Sequence, residues 1–305
     1  MNPRRRAWWV CTLPLMAACS WVQRDPRQAL ASLGVPYSTD SFLAQSAEGD
    51  VEAVRMFLAS GMAVDVHDKH GVTPLMNAAA AGQLRVAEAL IEHHANVNAS
   101  SPAGTTPLMA AAWNGNKALV ELLLNNGANV DAKDRSSESA LMLAVRARHP
   151  DAVKVLLEKG ARPDAHDDTW PALSLAAFLG DAETVDVLAS HNAAVDGRDD
   201  RGMTPLMHAA SIGRTDAIKV LVNKGADVNL ADSWGFTALM FAANNGQAEA
   251  VKALRDGGAD LAAKSSSGQT AADYAALNGF RDLAEMVKQP SSIALVQSPR
   301  GVPRR

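Results

Sequence analysis

Apolar residues in this chain recur in two alternating registers. One is a run with hydrophobic positions spaced three and four apart, as in Val120, Leu123 and Leu124, or Val153, Leu156 and Leu157. That spacing predicts an amphipathic helix. The other is a shorter run ahead of it, dense in Leu, Met and Ala, as in Leu108-Met109 followed by Ala111-Ala112. Pro74, Pro107 and Pro205 open such runs, and Thr73, Thr106 and Thr204 stand just before them. Thr is a good N-cap, and Pro at the first helical position has no N–H to leave unsatisfied. Gly82, Gly115, Gly213 and Gly246 close the first run, while Gly127, Gly160, Gly225 and Gly258 close the second. Glycine at these places predicts helix C-termini. The pattern is therefore pairs of short helices. Ala78-Ala79, Ala111-Ala112, Ala209-Ala210 and Ala242-Ala243 let neighbouring first helices approach closely.

The same phrase returns along the chain. Thr73-Pro74-Leu75-Met76 recurs from Thr106, Ser139, Pro171, Thr204, Thr237 and Thr270, at intervals of 33, 33, 32, 33, 33 and 33 residues. A second phrase trails it, as Gly127-Ala128-Asn129-Val130-Asp131, Gly225-Ala226-Asp227-Val228-Asn229 and Gly258-Ala259-Asp260. Over residues 40–288 the sequence resembles the ankyrin repeat, whose period is 33 and whose signature is T-P-L-H-x-A. The family's His at the fourth position is absent and Met fills it repeatedly, so the hydrogen bonds of that His are missing or replaced. The resemblance implies an all-α solenoid of about eight helix-turn-helix repeats with projecting turns. Residues 40–68, placed by Gly49 and Gly61, form a degenerate N-terminal cap. Residues 265–288 form the C-terminal cap, with Arg281, Asp282, Glu285 and Lys288 on a polar outer face. Two repeats depart from the pattern. The third carries Arg148-His149-Pro150 where Gly opens the inter-helix turn. The fourth is one residue short near Asp167-Asp168-Thr169-Trp170 and lacks the Thr cap.

The ends read differently. Residues 1–18 combine Arg4, Arg5 and Arg6, an apolar run from Ala7 to Ala18, and small residues at its close. This is the layout of a secretory signal peptide. Met16-Ala17-Ala18-Cys19 resembles a bacterial lipobox, which implies lipidation at Cys19, and Ser20 after it implies passage to the outer membrane. Residues 19–39 read as a tether and 289–305 as a flexible tail. The expected location is the cell envelope, in the periplasm and lipid-anchored. Without residues 1–18, the 29 basic residues fall to 26 against 33 acidic ones, a net charge near −7. That argues against binding nucleic acid through general phosphate electrostatics. Both cysteines, Cys11 and Cys19, are N-terminal, which excludes a disulfide framework and a four-cysteine zinc site.

No nucleophile elbow, phosphate-binding glycine loop or H-E-x-x-H sequence occurs. His67, Asp68 and His70, and the pair His93-His94, read as solvated loop residues. Neither enzymatic activity, nor a cofactor, nor a metal is expected. Function then falls to the variable positions. The resemblance implies a concave groove made by turn tips and first helices. The residues placed there are Trp113, Arg146, Arg148, Trp170, Phe178, Leu179, Arg201, Met203, Ile212, Trp234 and Phe236. Tryptophan and arginine are enriched in interface hot spots. The period brings Trp170, Phe178, Met203, Ile212, Trp234 and Phe236 into register as one apolar strip, flanked by Arg146, Arg148 and Arg201. The expected function is a monomeric, non-enzymatic protein-binding module of the envelope. The alternative is an immunity-type inhibitor that occludes a toxic enzyme.

Overall fold

The computed structural model describes residues 25–288. The signal peptide expected at 1–18, the lipidation expected at Cys19, the start of the expected tether and the expected tail 289–305 lie outside the described residues. Within them the chain forms seventeen short helices and no strand. The cap pair is α2 (Thr39–Glu48) and α3 (Val51–Ala59), preceded by α1 (Pro26–Ser32). Repeats one to three follow as α4 (Pro74–Ala80) with α5 (Leu84–Glu92), α6 (Pro107–Trp113) with α7 (Lys117–Asn125), and α8 (Ala140–Arg146) with α9 (Pro150–Glu158). Repeats four and five are α10 (Ala172–Leu179) with α11 (Ala182–Ser190), and α12 (Pro205–Ile212) with α13 (Thr215–Asn223). Repeats six and seven are α14 (Ala238–Asn244) with α15 (Ala248–Asp256), and α16 (Ala271–Leu277) with α17 (Arg281–Lys288).

First helices pack on first helices from α2 to α16, and second helices on second helices from α3 to α17. The core runs between the two layers as one continuous seam. Leu75, Leu108, Leu141, Leu173, Leu206 and Leu239 occupy the same place in successive first helices and are all buried. Each such leucine contributes roughly 1.5–3 kcal/mol by leaving water. The paired alanines of the first helices are fully buried too, so the layer can be close-packed without large side chains.

Caps fix where each first helix starts. The Thr73, Thr106, Thr204, Thr237 and Thr270 hydroxyls accept the amide three residues on, at 3.3–3.4 Å, and Ser139 does the same. The methionines do part of the work expected of the family's His. The Thr106 and Thr204 amides donate to the sulfurs of Met109 and Met207 at 3.4 Å. In the last repeat Asp273 accepts the Thr270 amide at 2.9 Å instead. Pro171 has no hydroxyl, and α10 starts without a side-chain cap.

The tether expectation is corrected over residues 25–39, which are folded. Asp25 accepts the Arg27 amide at 3.1 Å, Pro26 takes the first helical position, and Leu30 is completely buried. α1 packs against α3. Arg27 lies over the Tyr37 ring at 4.4 Å and donates to the Ser60 carbonyl, while Tyr37 stacks on Phe57. Pro26 and Gly34, which look like linker punctuation, are a helix start and the left-handed residue just past its end.

Two sets of contacts tie repeat to repeat at the turns. In the loops after the second helices, a carboxylate or amide oxygen accepts a backbone N–H of the next repeat. The pairs run Asp65–Asn96, Asn98–Asn129, Asp131–Arg162, Asp164–Ala194, Asp196–Asp227 and Asn229–Asp260, without a gap. The projecting turns are numbered as fingers 1 to 7 after the repeats they precede, and three of their six junctions are joined by backbone bonds. Arg135 donates to Ala103, Ser233 to Arg201, and Ser266 to Trp234. Finger 4 makes no backbone hydrogen bond to either neighbour, and fingers 1 and 2 share none.

Candidate partner groove

Each finger is organised by its first residue. In fingers 1, 3, 5 and 6 that residue is Asp68, Asp134, Asp199 or Asp232, whose Oδ1 accepts the amides two and four residues on. Asp68 thus serves the turn itself, and the Val72 amide holds its carboxyl below the ordinary range. Finger 4 is one residue shorter, and Asp167 takes the amides of Thr169 and Trp170 at 2.7 and 2.6 Å. No group of three or more His, Cys, Asp or Glu among the described residues is arranged to hold a metal ion.

This frame decides what each variable residue can do. Trp234 projects from finger 6 with 57% of its surface exposed, and Trp113, at the end of α6, is 52% exposed. Ile212 closes α12 and is also exposed. Trp170 does not project freely. Its ring packs on Phe178 at 5.2 Å and on His208 at 4.4 Å. Phe236 lies between Phe241 and Tyr274, with ring centroids 5.3 and 4.7 Å away. Leu179 is half-buried at the end of α10.

The single apolar strip is therefore corrected to two aromatic clusters, with Ile212 and Trp234 exposed beside them. Met203 is the clearest departure: it is buried, at 6% exposure. Its amide and carbonyl both bond Asp199, which closes finger 5 as a hairpin and turns the side chain into the stack. Among the arginines, Arg146 is already committed. It bridges Glu138 at 2.7 Å and Asp167 at 2.6 Å, and so acts as a strut from finger 3 to finger 4 rather than as a free cation. Arg201 stays mostly exposed, 3.9 Å from Asp199. Arg148 is exposed with a positive φ of 61°, in the left-handed position that Gly115 fills one repeat earlier.

Sequence reasoning missed the position four residues after each cap. It holds His208 in repeat five, Phe241 in repeat six and Tyr274 in repeat seven. His208 is buried and its Nε2 lies 3.0 Å from Asp199 Oδ2. Burial pushes the imidazole below its ordinary value, against the pull of the Asp199 charge. The 33-residue comparison would have exposed this column had it been read alongside the finger aspartates.

Comparison with known proteins agrees with the geometry. A family model described as ankyrin repeats (3 copies) matches residues 15–101, 41–134, 95–167 and 141–232, and one described as ankyrin repeats (many copies) matches 221–275. Among solved structures, the human ASB11 ankyrin repeat domain is 29% identical, with a TM-score of 0.65 over 72% of this chain and 100% of that one. The ankyrin repeat domain of Bcl-3, a member of the IkappaB protein family, is 28% identical, with a TM-score of 0.64 over 71% and 100%. No curated protein matches by sequence. With a family model running across most of its length and the finger-and-helix stack described above, the chain belongs to the ankyrin-repeat family.

Proposed function

We propose that this chain is a non-enzymatic module that holds a partner protein in its concave groove, with the fingers and first helices of repeats five and six as the main contact. The observation that carries this reading is the exposure of Trp234 and Ile212 in adjacent repeats, beside aromatic clusters that are already packed. Large apolar side chains grouped on a surface mark interaction sites. The mostly exposed Arg201 supplies a charged rim, a common arrangement around an aromatic anchor. The test uses a partner captured on the full chain and then measured with purified protein. Trp234→Ala should weaken binding by about 2 kcal/mol or more, as truncated hot spots do, and leave the melting temperature unchanged. A lowered melting temperature with undiminished affinity would make Trp234 a brace for its own finger.

The place of action in this proposal is the cell envelope. The basic, apolar and small-residue layout of residues 1–18 and the Met16–Cys19 sequence support it. No helix among the described residues is long and apolar enough to cross a membrane. Cys19→Ala should move the protein from the membrane fraction to the soluble fraction or arrest its processing. Wild-type protein that is wholly soluble and carries no acyl group would remove the anchor from the proposal.

A further inference from the structure

We propose that the cleft between fingers 4 and 5 is a slot for a basic side chain, an arginine or lysine carried by the partner protein. The cleft follows from sequence. Five other repeats bury a methionine three residues after the cap: Met76, Met109, Met142, Met207 and Met240. Repeat four has Ser174 there, Pro171 in place of the cap, and a finger one residue short. A serine cannot fill a methionine's volume, and the shortened finger forms no backbone bond that would draw its neighbour in. The result is an open cavity of about 480 Å³.

Its lining points to the chemistry of the occupant. Ser174 lines the cavity fully buried, and its hydroxyl has no hydrogen-bond partner. Trp170, Pro171, Leu173 and Pro205 supply apolar wall. Five aspartates line the cavity against one arginine. Arg198 is held by the carbonyls of Gly202 and Ala231, at 2.9 and 2.7 Å. Asp167 and Asp199 are each satisfied by two amides and by Arg146 or His208. Asp168 and Asp200 are exposed and make neither a hydrogen bond nor an ion pair among the described residues. The cavity thus offers apolar walls, a buried unpaired hydroxyl and two uncommitted carboxylates at the rim. A cation on an apolar stem satisfies all three: the stem meets the walls, and its N–H donors meet Ser174 and the carboxylates.

The inference rests on the groove reading, since it supplies one anchor of the same partner. The test needs no partner, so its failure leaves the groove untouched. The full chain is titrated with N-acetyl-argininamide while the Trp170 indole resonance is followed, assigned by its loss in Trp170→Phe. Blocked citrullinamide serves as the neutral isostere, blocked glutamate amide as the anion and spermidine as a free polyamine. The expected result is a saturable shift with argininamide, at least tenfold weaker with citrullinamide and absent with the glutamate compound. Asp168→Asn combined with Asp200→Asn, both exposed, should weaken it at least tenfold with an unchanged melting curve. Ser174→Met should abolish it by filling the cavity. Absence of the argininamide shift, an equal shift with citrullinamide or glutamate amide, or indifference to all three substitutions would overturn the proposal. Saturation by spermidine with no response to argininamide would overturn it in favour of a free amine.

Discussion

Asp199 and Asp232 hold the same place in consecutive fingers, yet only Asp199 has a partner for its second oxygen. His208 supplies that partner at 3.0 Å. One repeat later Phe241 stands in the same position, and Asp232 Oδ2 is buried without a hydrogen bond. The pair gives a clean prediction. His208 is held neutral by burial, so its folded-state value lies below the roughly 6.5 of an unfolded histidine. Its contribution is complete above that unfolded value and is lost as the pH falls from there toward the folded value. The loss reaches at most about 1.4 kcal/mol per pH unit from this one group. His208→Phe, which copies repeat six, should flatten the fall in stability as the pH drops below about 6.5 in denaturant titrations. Equal pH slopes in the two proteins would assign the acid sensitivity elsewhere. Such pairings were hidden in the sequence because they join a finger to a helix nine residues on. Met203 misled for a related reason: period places a residue in a finger, whereas backbone hydrogen bonds decide which way its side chain turns.

At the scale of the helix, capping signals were legible and the exceptions instructive. Threonine followed by proline marked the start of α4, α6 and α12 correctly. Proline and glycine misled at α1, because they bracket a seven-residue helix as readily as they punctuate a linker. What separates the cases is Leu30, fully buried in the layer of second helices. α1 thereby covers the open end of that layer, where α3 has no earlier repeat to pack on. Leu30→Ala should cost roughly 2–5 kcal/mol locally, as other buried leucine truncations do. The loss should appear first as faster amide hydrogen exchange in α2 and α3, with α14 to α17 unaffected. Uniform acceleration along the chain would mean that the solenoid opens as one unit.

For the whole molecule, the 33-residue period carried the architecture. Seven occurrences of one phrase can be buried only by stacking, and the stack is what the chain forms. Translational repetition also makes equivalent sites energetically alike. Leu108 and Leu239 sit four repeats apart, each 1% exposed. Leu108→Ala and Leu239→Ala should each cost about 2–5 kcal/mol. Combined, their costs should add within about 0.5 kcal/mol, as for sites with no shared contacts. Calorimetry of the two single variants and the double variant checks both statements. A period cannot show how firmly each junction is fastened, and here the junctions differ. The side-chain-to-amide ladder in the loops after the second helices is unbroken, whereas finger 4 is bonded to repeat three by side chains alone and to finger 5 by no hydrogen bond. Mechanically, the fingers are springs in series, while the ladder in the loops leading into them acts as a continuous tie. Under a common load the softest springs take most of the extension, so bending of the groove concentrates where fingers share no backbone bond, at finger 4 and between fingers 1 and 2. A partner spanning finger 4 meets two arms, fingers 2 to 3 and fingers 5 to 7, that each keep their backbone bonds, with the angle between them adjustable to fit it.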